Sequence, residues 1–253
     1  MASLKGKVSL VTGSSRGIGA AIAREFAKEG ASVAVHGRDR SAIAHVASEI
    51  EGTGGHATRV VAELTSFEQI EAAREWIERE LGPVDILVAN AGASLTRPGL
   101  LEEIDVDAWR ASVDANLTAT FLTIKSFLPG MKARGSGNII TISSAAGRRP
   151  HPRSPIPYAA AKAGIELMTQ DVAAQAGPDA VRANCIAPET IITERNDLEI
   201  PDNVRRSLID AHPLKRLGTP EDVARAAVFL ASDESSWMTG VVLDVAGGAV
   251  MVR

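Results

Sequence analysis

Residues 7–19 constrain this chain more than any other segment. Lys7-Val8-Ser9-Leu10-Val11-Thr12 is a short apolar run rich in β-branched residues, and a run of that length closed by glycine reads as a buried strand. It opens directly into Gly13-Ser14-Ser15-Arg16-Gly17-Ile18-Gly19 and then into Ala20-Ala21-Ile22-Ala23-Arg24-Glu25-Phe26-Ala27, a strongly helix-forming stretch. Strand, glycine turn and helix in that order make an anion site. The glycines let the backbone turn tightly and approach a ligand, and the free N–H groups at the helix start attract a pyrophosphate. The spacing is G-x-x-x-G-x-G, not the commoner G-x-G-x-x-G.

The same alternation continues. Ser32 to His36 reads as a strand, Ser41 to Ile50 as a helix and Thr58 to Leu64 as a third strand. Thr65-Ser66-Phe67-Glu68 reads as a capping box opening a helix that ends near Gly82-Pro83. Val84 to Val88 and Asn138 to Ser143 are further strands, separated by a helical region from Asp107 to Ala133. Tyr158 to Ala176 is helical, Val181 to Ala187 a strand, Thr219-Pro220-Glu221-Asp222 a capped helix start, and Val241 to Asp244 a last strand. Such a pattern predicts an α/β protein with a parallel sheet covered by helices on both faces. In such sheets ligands lie beyond the carboxyl ends of the strands, and Gly13, Asn90, Ser144 and Pro188 each follow a predicted strand.

At 253 residues and 45% hydrophobic content, one large core and a single domain spanning 1–253 are expected. The net charge of −4, with both signs interspersed, argues against a nucleic-acid partner. No apolar stretch of signal or membrane-spanning type is present, so a soluble cytoplasmic protein is expected. Cys185 is the sole cysteine, which excludes an internal disulfide, and no Cys/His cluster offers a metal site. Its apolar neighbours make it a small core residue.

Chemistry concentrates at Tyr158-Ala159-Ala160-Ala161-Lys162, where the only tyrosine of the chain stands four residues before a lysine. On a helix the two project from one face. A phenol titrates near ~10, and a neighbouring cation is expected to lower that value toward the range of a general acid or base.

Thr12-Gly-x-x-x-Gly17-Ile18-Gly19, Asn90-Ala91-Gly92, Asn116, Ser144 and Tyr158-x-x-x-Lys162 occur in the order and at about the separations of the short-chain dehydrogenase/reductase family, which the chain resembles from its first strand to Gly247-Gly248. The resemblance implies a Rossmann-type, doubly wound sheet of seven parallel strands in the order 3-2-1-4-5-6-7. It implies hydride transfer between a nicotinamide and a ketone or secondary alcohol, with Tyr158 as proton donor or acceptor. Ser144 would hold the substrate oxygen, with Ser143 as fallback. Lys162 would bind the nicotinamide ribose and lower the phenol pKa, and Asn116 would hold a water in a proton relay to Lys162. Coenzyme contacts are implied for Gly13, Ser15, Arg16, Gly17, Ile18, Gly19, Glu63, Leu64, Asn90, Ala91, Gly92, Tyr158, Lys162, Pro188 and Thr193. A homotetramer built on the helices around Asp107 to Ala133 and Tyr158 to Ala176 is likewise implied.

Three departures refine the expectation. After the second strand the chain has Gly37-Arg38 in place of the acid of NAD-preferring relatives. Arg38, with Arg16, is expected to accept the extra 2′-phosphate of NADP(H). Pro188 is followed by Glu189 where relatives carry glycine, which removes backbone freedom beside the nicotinamide. The loop Arg148-Arg149-Pro150-His151-Pro152-Arg153 could form a basic rim for an anionic substrate or be a solvated loop. Residues 190–217 match the family's variable substrate lobe, with Ile191, Ile192, Leu198 and Ile200 as candidate lining. A broad ketone reductase, a reductase of 3-oxoacyl-carrier-protein or 3-oxoacyl-CoA thioesters, and a non-catalytic NADP(H)-binding regulator all remain open.

Overall fold

The computed structural model describes residues 3–151, 153–197 and 200–251. Seven strands, β1 (Val8–Val11), β2 (Ser32–His36), β3 (His56–Val60), β4 (Ile86–Ala89), β5 (Gly137–Ile142), β6 (Val181–Pro188) and β7 (Val242–Val245), form one sheet. Its order is β3-β2-β1-β4-β5-β6-β7, and every neighbouring pair is parallel. The order reverses between β1 and β4, so a crevice opens beyond their carboxyl ends.

Helices cover both faces. They are α1 (Gly17–Lys28), α2 (Arg40–Gly52), α3 (Phe67–Glu80), α4 (Val106–Val113), α5 (Ala119–Arg134), α6 (Ala145–Arg148), α7 (Ile156–Ala176), α8 (Glu194–Asp197), α9 (Asp202–Ala211) and α10 (Pro220–Ala231). Because side chains alternate along a strand, Val11, Ile86 and Val88 pack with α1, α2 and α10 on one face. Leu10 and Leu87 pack with α3 and α5 on the other. Strands buried on both sides explain the continuous apolar runs of the sequence. Cys185 is fully buried within β6, and burial raises its thiol to about 11. Among the described residues, no helix is long and apolar enough to cross a membrane.

Most boundaries shift by one or two residues from the sequence reading, and two differences have a specific cause. The third strand occupies His56–Val60 rather than Thr58 to Leu64. Beyond Val60 the chain leaves the ladder, because the Ala62 carbonyl is bonded to His36 Nε2 and the Glu63 N–H donates to Gln69 Oε1. The cap of α3 is Ser66, not Thr65, with Ser66 Oγ accepting from the Gln69 N–H. The helical region after Asp107 is also not uniform: a π-helical turn, Asp114–Thr118, joins α4 to α5. The helix start read at Thr219 and Pro220 forms, and the Asp222 carboxylate accepts from the Thr219 N–H at 2.9 Å.

Candidate active site

The glycine turn is held from three sides. Gly13 and Gly17 have φ of 64° and 54°, in the left-handed region that favours glycine. A Cβ at Gly19 would collide with the Gly13 carbonyl and Asn90 Nδ2. Asn90 Nδ2 donates to the carbonyls of Thr12 (2.9 Å) and Gly13 (3.2 Å), while Thr12 Oγ1 accepts from the N–H groups of Asn90 and Ala91, both at 3.0 Å. These bonds stitch the end of β4 to the turn. Helix α1 begins at Arg16 without a side-chain cap, leaving its first N–H groups for a ligand.

The third side is His36, which the sequence alone marks only as a strand residue. The Gly13 N–H donates to its Nδ1 at 3.1 Å, and its Nε2 lies 3.1 Å from the Ala62 carbonyl. Both bonds are satisfied together only by a neutral ring protonated at Nε2. Burial, which lowers the pKa of His36, favours that form. One side chain thus ties the ends of β1, β2 and β3 around the mouth of the crevice.

The catalytic candidates come from β5 and α7. Ser143 points inward, its Oγ 2.7 Å from Glu166 Oε1 and 3.1 Å from the Lys162 carbonyl. Ser144 faces the cavity and caps α6 by accepting from the Ala146 N–H at 3.2 Å. Of the two serines, Ser144 is the one that acts on the Tyr158 phenol, favouring its ionised form, while Ser143 is engaged with Glu166 and the Lys162 carbonyl. Gly147 lets α6 press against α7, since a Cβ there would stand 2.8 Å from the Ala163 nitrogen and 2.9 Å from the Lys162 carbonyl carbon. Lys162 Nζ donates to the Ile142 carbonyl at 2.8 Å and sits 5.6 Å from the centre of the Tyr158 ring. Desolvation lowers Lys162 to about 8. It also raises Tyr158 above its ordinary value, against the opposing effect of the Ser144 hydrogen bond. The expected lowering of the phenol is therefore reversed: burial outweighs the Ser144 hydrogen bond, and the phenol holds its proton at neutral pH.

Asn116 does not line the cavity. Its Nδ2 donates to the carbonyls of Ser112 (2.8 Å) and Ala93 (2.9 Å), and its Oδ1 accepts from the Ala93 N–H (3.2 Å). It pins the loop after β4 to the π-helical turn, and its side chain is fully engaged in doing so. The other candidates, Gly13, Ser15, Arg16, Gly17, Ile18, Gly19, Arg38, Glu63, Leu64, Asn90, Ala91, Gly92, Ser144, Tyr158, Lys162, Pro188 and Thr193, line one cavity of about 1050 Å³.

A family described as enoyl-(acyl carrier protein) reductase matches residues 13–250. The 3-oxoacyl-(acyl-carrier-protein) reductase FabG of Thermotoga maritima is 36% identical over 251 residues, covering 98% of this chain and 99% of that protein. A solved 3-oxoacyl-(acyl-carrier protein) reductase with bound NAD from Brucella melitensis has a TM-score of 0.90 at 37% identity, over 99% of this chain and 93% of that one. A 7α-hydroxysteroid dehydrogenase complexed with NADH and 7-oxo glycochenodeoxycholic acid has a TM-score of 0.93 at 34% identity, over 99% and 96%. The chain belongs to the short-chain dehydrogenase/reductase family. It is an oxidoreductase of the CH–OH/C=O type, in a family that binds nicotinamide coenzymes.

Within this family member, Arg149 and Arg153 of the basic loop are exposed, and Arg148 is not part of any rim. Arg148 is turned inward and mostly buried, its Nε and Nη2 on the two Asp244 oxygens at 2.8 and 3.2 Å and its Nη1 on Glu166 Oε2 at 3.0 Å. The triad fastens α6 to β7 and α7, with Ser144 at the other end of α6. Sequence reading could not find it, because Asp244 is 96 residues and Glu166 18 residues away. Pro152 of that loop and Leu198 of the lobe lie outside the described residues. Ile191 lines the cavity, and the Thr193 methyl lies where a Cβ at Gly17 would be 3.2 Å from it.

Proposed function

We propose that this oxidoreductase uses NADP(H) to interconvert a ketone and a secondary alcohol, with Tyr158 as general acid and base. The observation that carries the reading is that Ser144, Tyr158 and Lys162 line the same cavity as the glycine turn. The residues present fit a dinucleotide. The cavity is at the upper end of ligand-pocket sizes, its floor is a glycine turn that a Cβ at Gly19 would obstruct, and uncapped helix N–H groups face the place of a pyrophosphate.

Gly13, Ser15, Gly17, Ile18 and Gly19 would hold the phosphates, Glu63 and Leu64 the adenine, and Asn90, Ala91, Gly92, Pro188 and Thr193 the nicotinamide half. When bound, the nicotinamide supplies or accepts the hydride. Ser144 would donate a hydrogen bond to the substrate oxygen, aligning it. Tyr158, protonated at neutral pH, would give its proton to that oxygen during reduction and recover it in the reverse direction. Lys162 would bind the ribose, and Asn116 would act as a positioning residue that fixes the nicotinamide-side loop.

Arg16 and Arg38 support the choice of NADP(H). Arg16 reaches Asp39 at 3.5 Å and Arg38 reaches Glu63 at 3.4 Å, with the arginine side chains 61% and 81% exposed. Such long surface pairs bind weakly, so both guanidiniums are free to turn to a 2′-phosphate. The reading includes a cytoplasmic homotetramer, for which the exposed Phe121 of α5 and Leu167 of α7 offer apolar contacts. Oxidation of NADPH by purified protein with a panel of ketones, a 3-oxoacyl thioester included, tests the activity. Equal kcat/KM with NADH and NADPH would overturn the coenzyme assignment.

A further inference from the structure

We propose that Glu189 is a specificity residue that recognises substrates carrying a hydrogen-bond donor, a hydroxyl or a protonated amine, beside the carbonyl. The inference rests on the reading that Ser144 and Tyr158 receive a ketone. The Ser143 N–H donates to the Ile186 carbonyl at 2.8 Å, so β5 and β6 end side by side. Ser144 and Glu189, just past those ends, line the same cavity with Tyr158. The Glu189 N–H is fixed on the Val245 carbonyl at 3.2 Å. Glu189 is not among the described non-glycine residues of positive φ, which are Ala180 and Lys215. A side chain is therefore carried without strain where relatives have glycine.

The carboxylate accepts from Thr190 Oγ1 at 3.0 Å, one of about four acceptor positions an ionised carboxylate offers. It is half-buried at the cavity wall, where an acceptor without a donor is costly. Nearby cations do not neutralise it: Arg216, which borders the neighbouring cavity with Glu189, is bound to both Asp222 oxygens, Arg148 is bound to Asp244 and Glu166, and Lys162 donates to the Ile142 carbonyl. Arg16 and Arg38 stand at the β1 and β2 end, paired with Asp39 and Glu63. Glu189 and Ile191 also border a second cavity of about 370 Å³ lined by His212. His212 is buried, with Nδ1 on the Leu208 carbonyl at 2.7 Å and Nε2 without a partner. With its proton on Nδ1, that Nε2 is another acceptor. An anionic substrate would be repelled by Glu189; a hydroxylated or aminated one would donate to it.

The test compares wild type, Glu189→Gln and Glu189→Leu on four matched ketones: 2-amino-1-phenylethanone, 2-hydroxy-1-phenylethanone, unsubstituted 1-phenylethanone and benzoylformate. NADPH affinity is followed by its fluorescence in each variant. For wild type, kcat/KM should favour the amino and hydroxy ketones over benzoylformate. The advantage of the amino ketone over the unsubstituted one should fall at least about tenfold in Glu189→Gln, and that of both donors should fall in Glu189→Leu. Ratios that move by less than about threefold, or a wild type that prefers benzoylformate, would overturn the inference while leaving the reductase reading intact. No turnover of any ketone despite NADPH binding would overturn both.

Discussion

Arg148→Met removes one cation from a mostly buried triad and leaves two carboxylates facing each other. Three charge-assisted contacts at 2.8, 3.0 and 3.2 Å are lost, and the side chains of Arg148, Glu166 and Asp244 are only 18%, 11% and 20% exposed. At that burial the pair is little screened, and breaking one partner out of a buried ion pair costs about 3–5 kcal/mol. In urea, with a slope of about 2–3 kcal/mol per molar, the unfolding midpoint should drop by roughly 1–2.5 M at fixed protein concentration. The triple variant Arg148→Met/Glu166→Gln/Asp244→Asn, which leaves no uncompensated charge, should regain most of that loss. Because α6 carries Ser144 at its start, kcat should fall in Arg148→Met more than KM rises. A midpoint shift equivalent to less than about 1 kcal/mol would mean that the triad is in effect a solvated surface cluster, and would refute the reasoning.

Three further outcomes follow from the same geometry. Lys162 is lowered to about 8 in the folded protein from an ordinary 10.5, so between those values the unfolded chain binds more protons. Stability should rise by about 3 kcal/mol as pH climbs through that window, and the rise should be absent in Lys162→Met when the two urea series are subtracted. Arg38→Ala combined with Arg16→Ala should reduce the NADPH over NADH preference in kcat/KM by at least about tenfold, leaving NADH values nearly unchanged. Gly19→Ala forces a methyl group against the Gly13 carbonyl and Asn90, and should weaken NADPH binding about tenfold or more, read by fluorescence titration.

What the sequence makes legible is whatever local chemistry determines. The strand before Gly13 is an uninterrupted apolar run, the turn is marked by glycines that φ demands, and Pro220 beside Asp222 announces a helix start. The parallel order follows from alternation, and convergence of Gly13, Asn90, Ser144 and Pro188 follows from the order. Features that depend on distant partners escape. Arg148 reads as a loop cation until Asp244 and Glu166 are brought to it by β7 and α7. His36 reads as a strand residue until the Gly13 N–H and the Ala62 carbonyl reach its two nitrogens. The direction of the Tyr158 shift escapes for the same reason: spacing puts an ammonium on the same helix face, but desolvation by the surrounding fold is what sets the direction. Asn116 marks the junction of α4 and α5, yet its engagement with Ala93 depends on a π-helical turn that periodicity does not signal.

Tyr158 is the only tyrosine, so a single substitution isolates the proton donor both chemically and spectroscopically. Turnover of NADPH with a reactive ketone by Tyr158→Phe, compared with wild type of equal urea midpoint, is the most direct measurement. A kcat at least about a hundredfold lower is the expected result, together with loss of a phenol titration whose wild-type midpoint lies above ~10. A kcat within about tenfold of wild type would contradict the account.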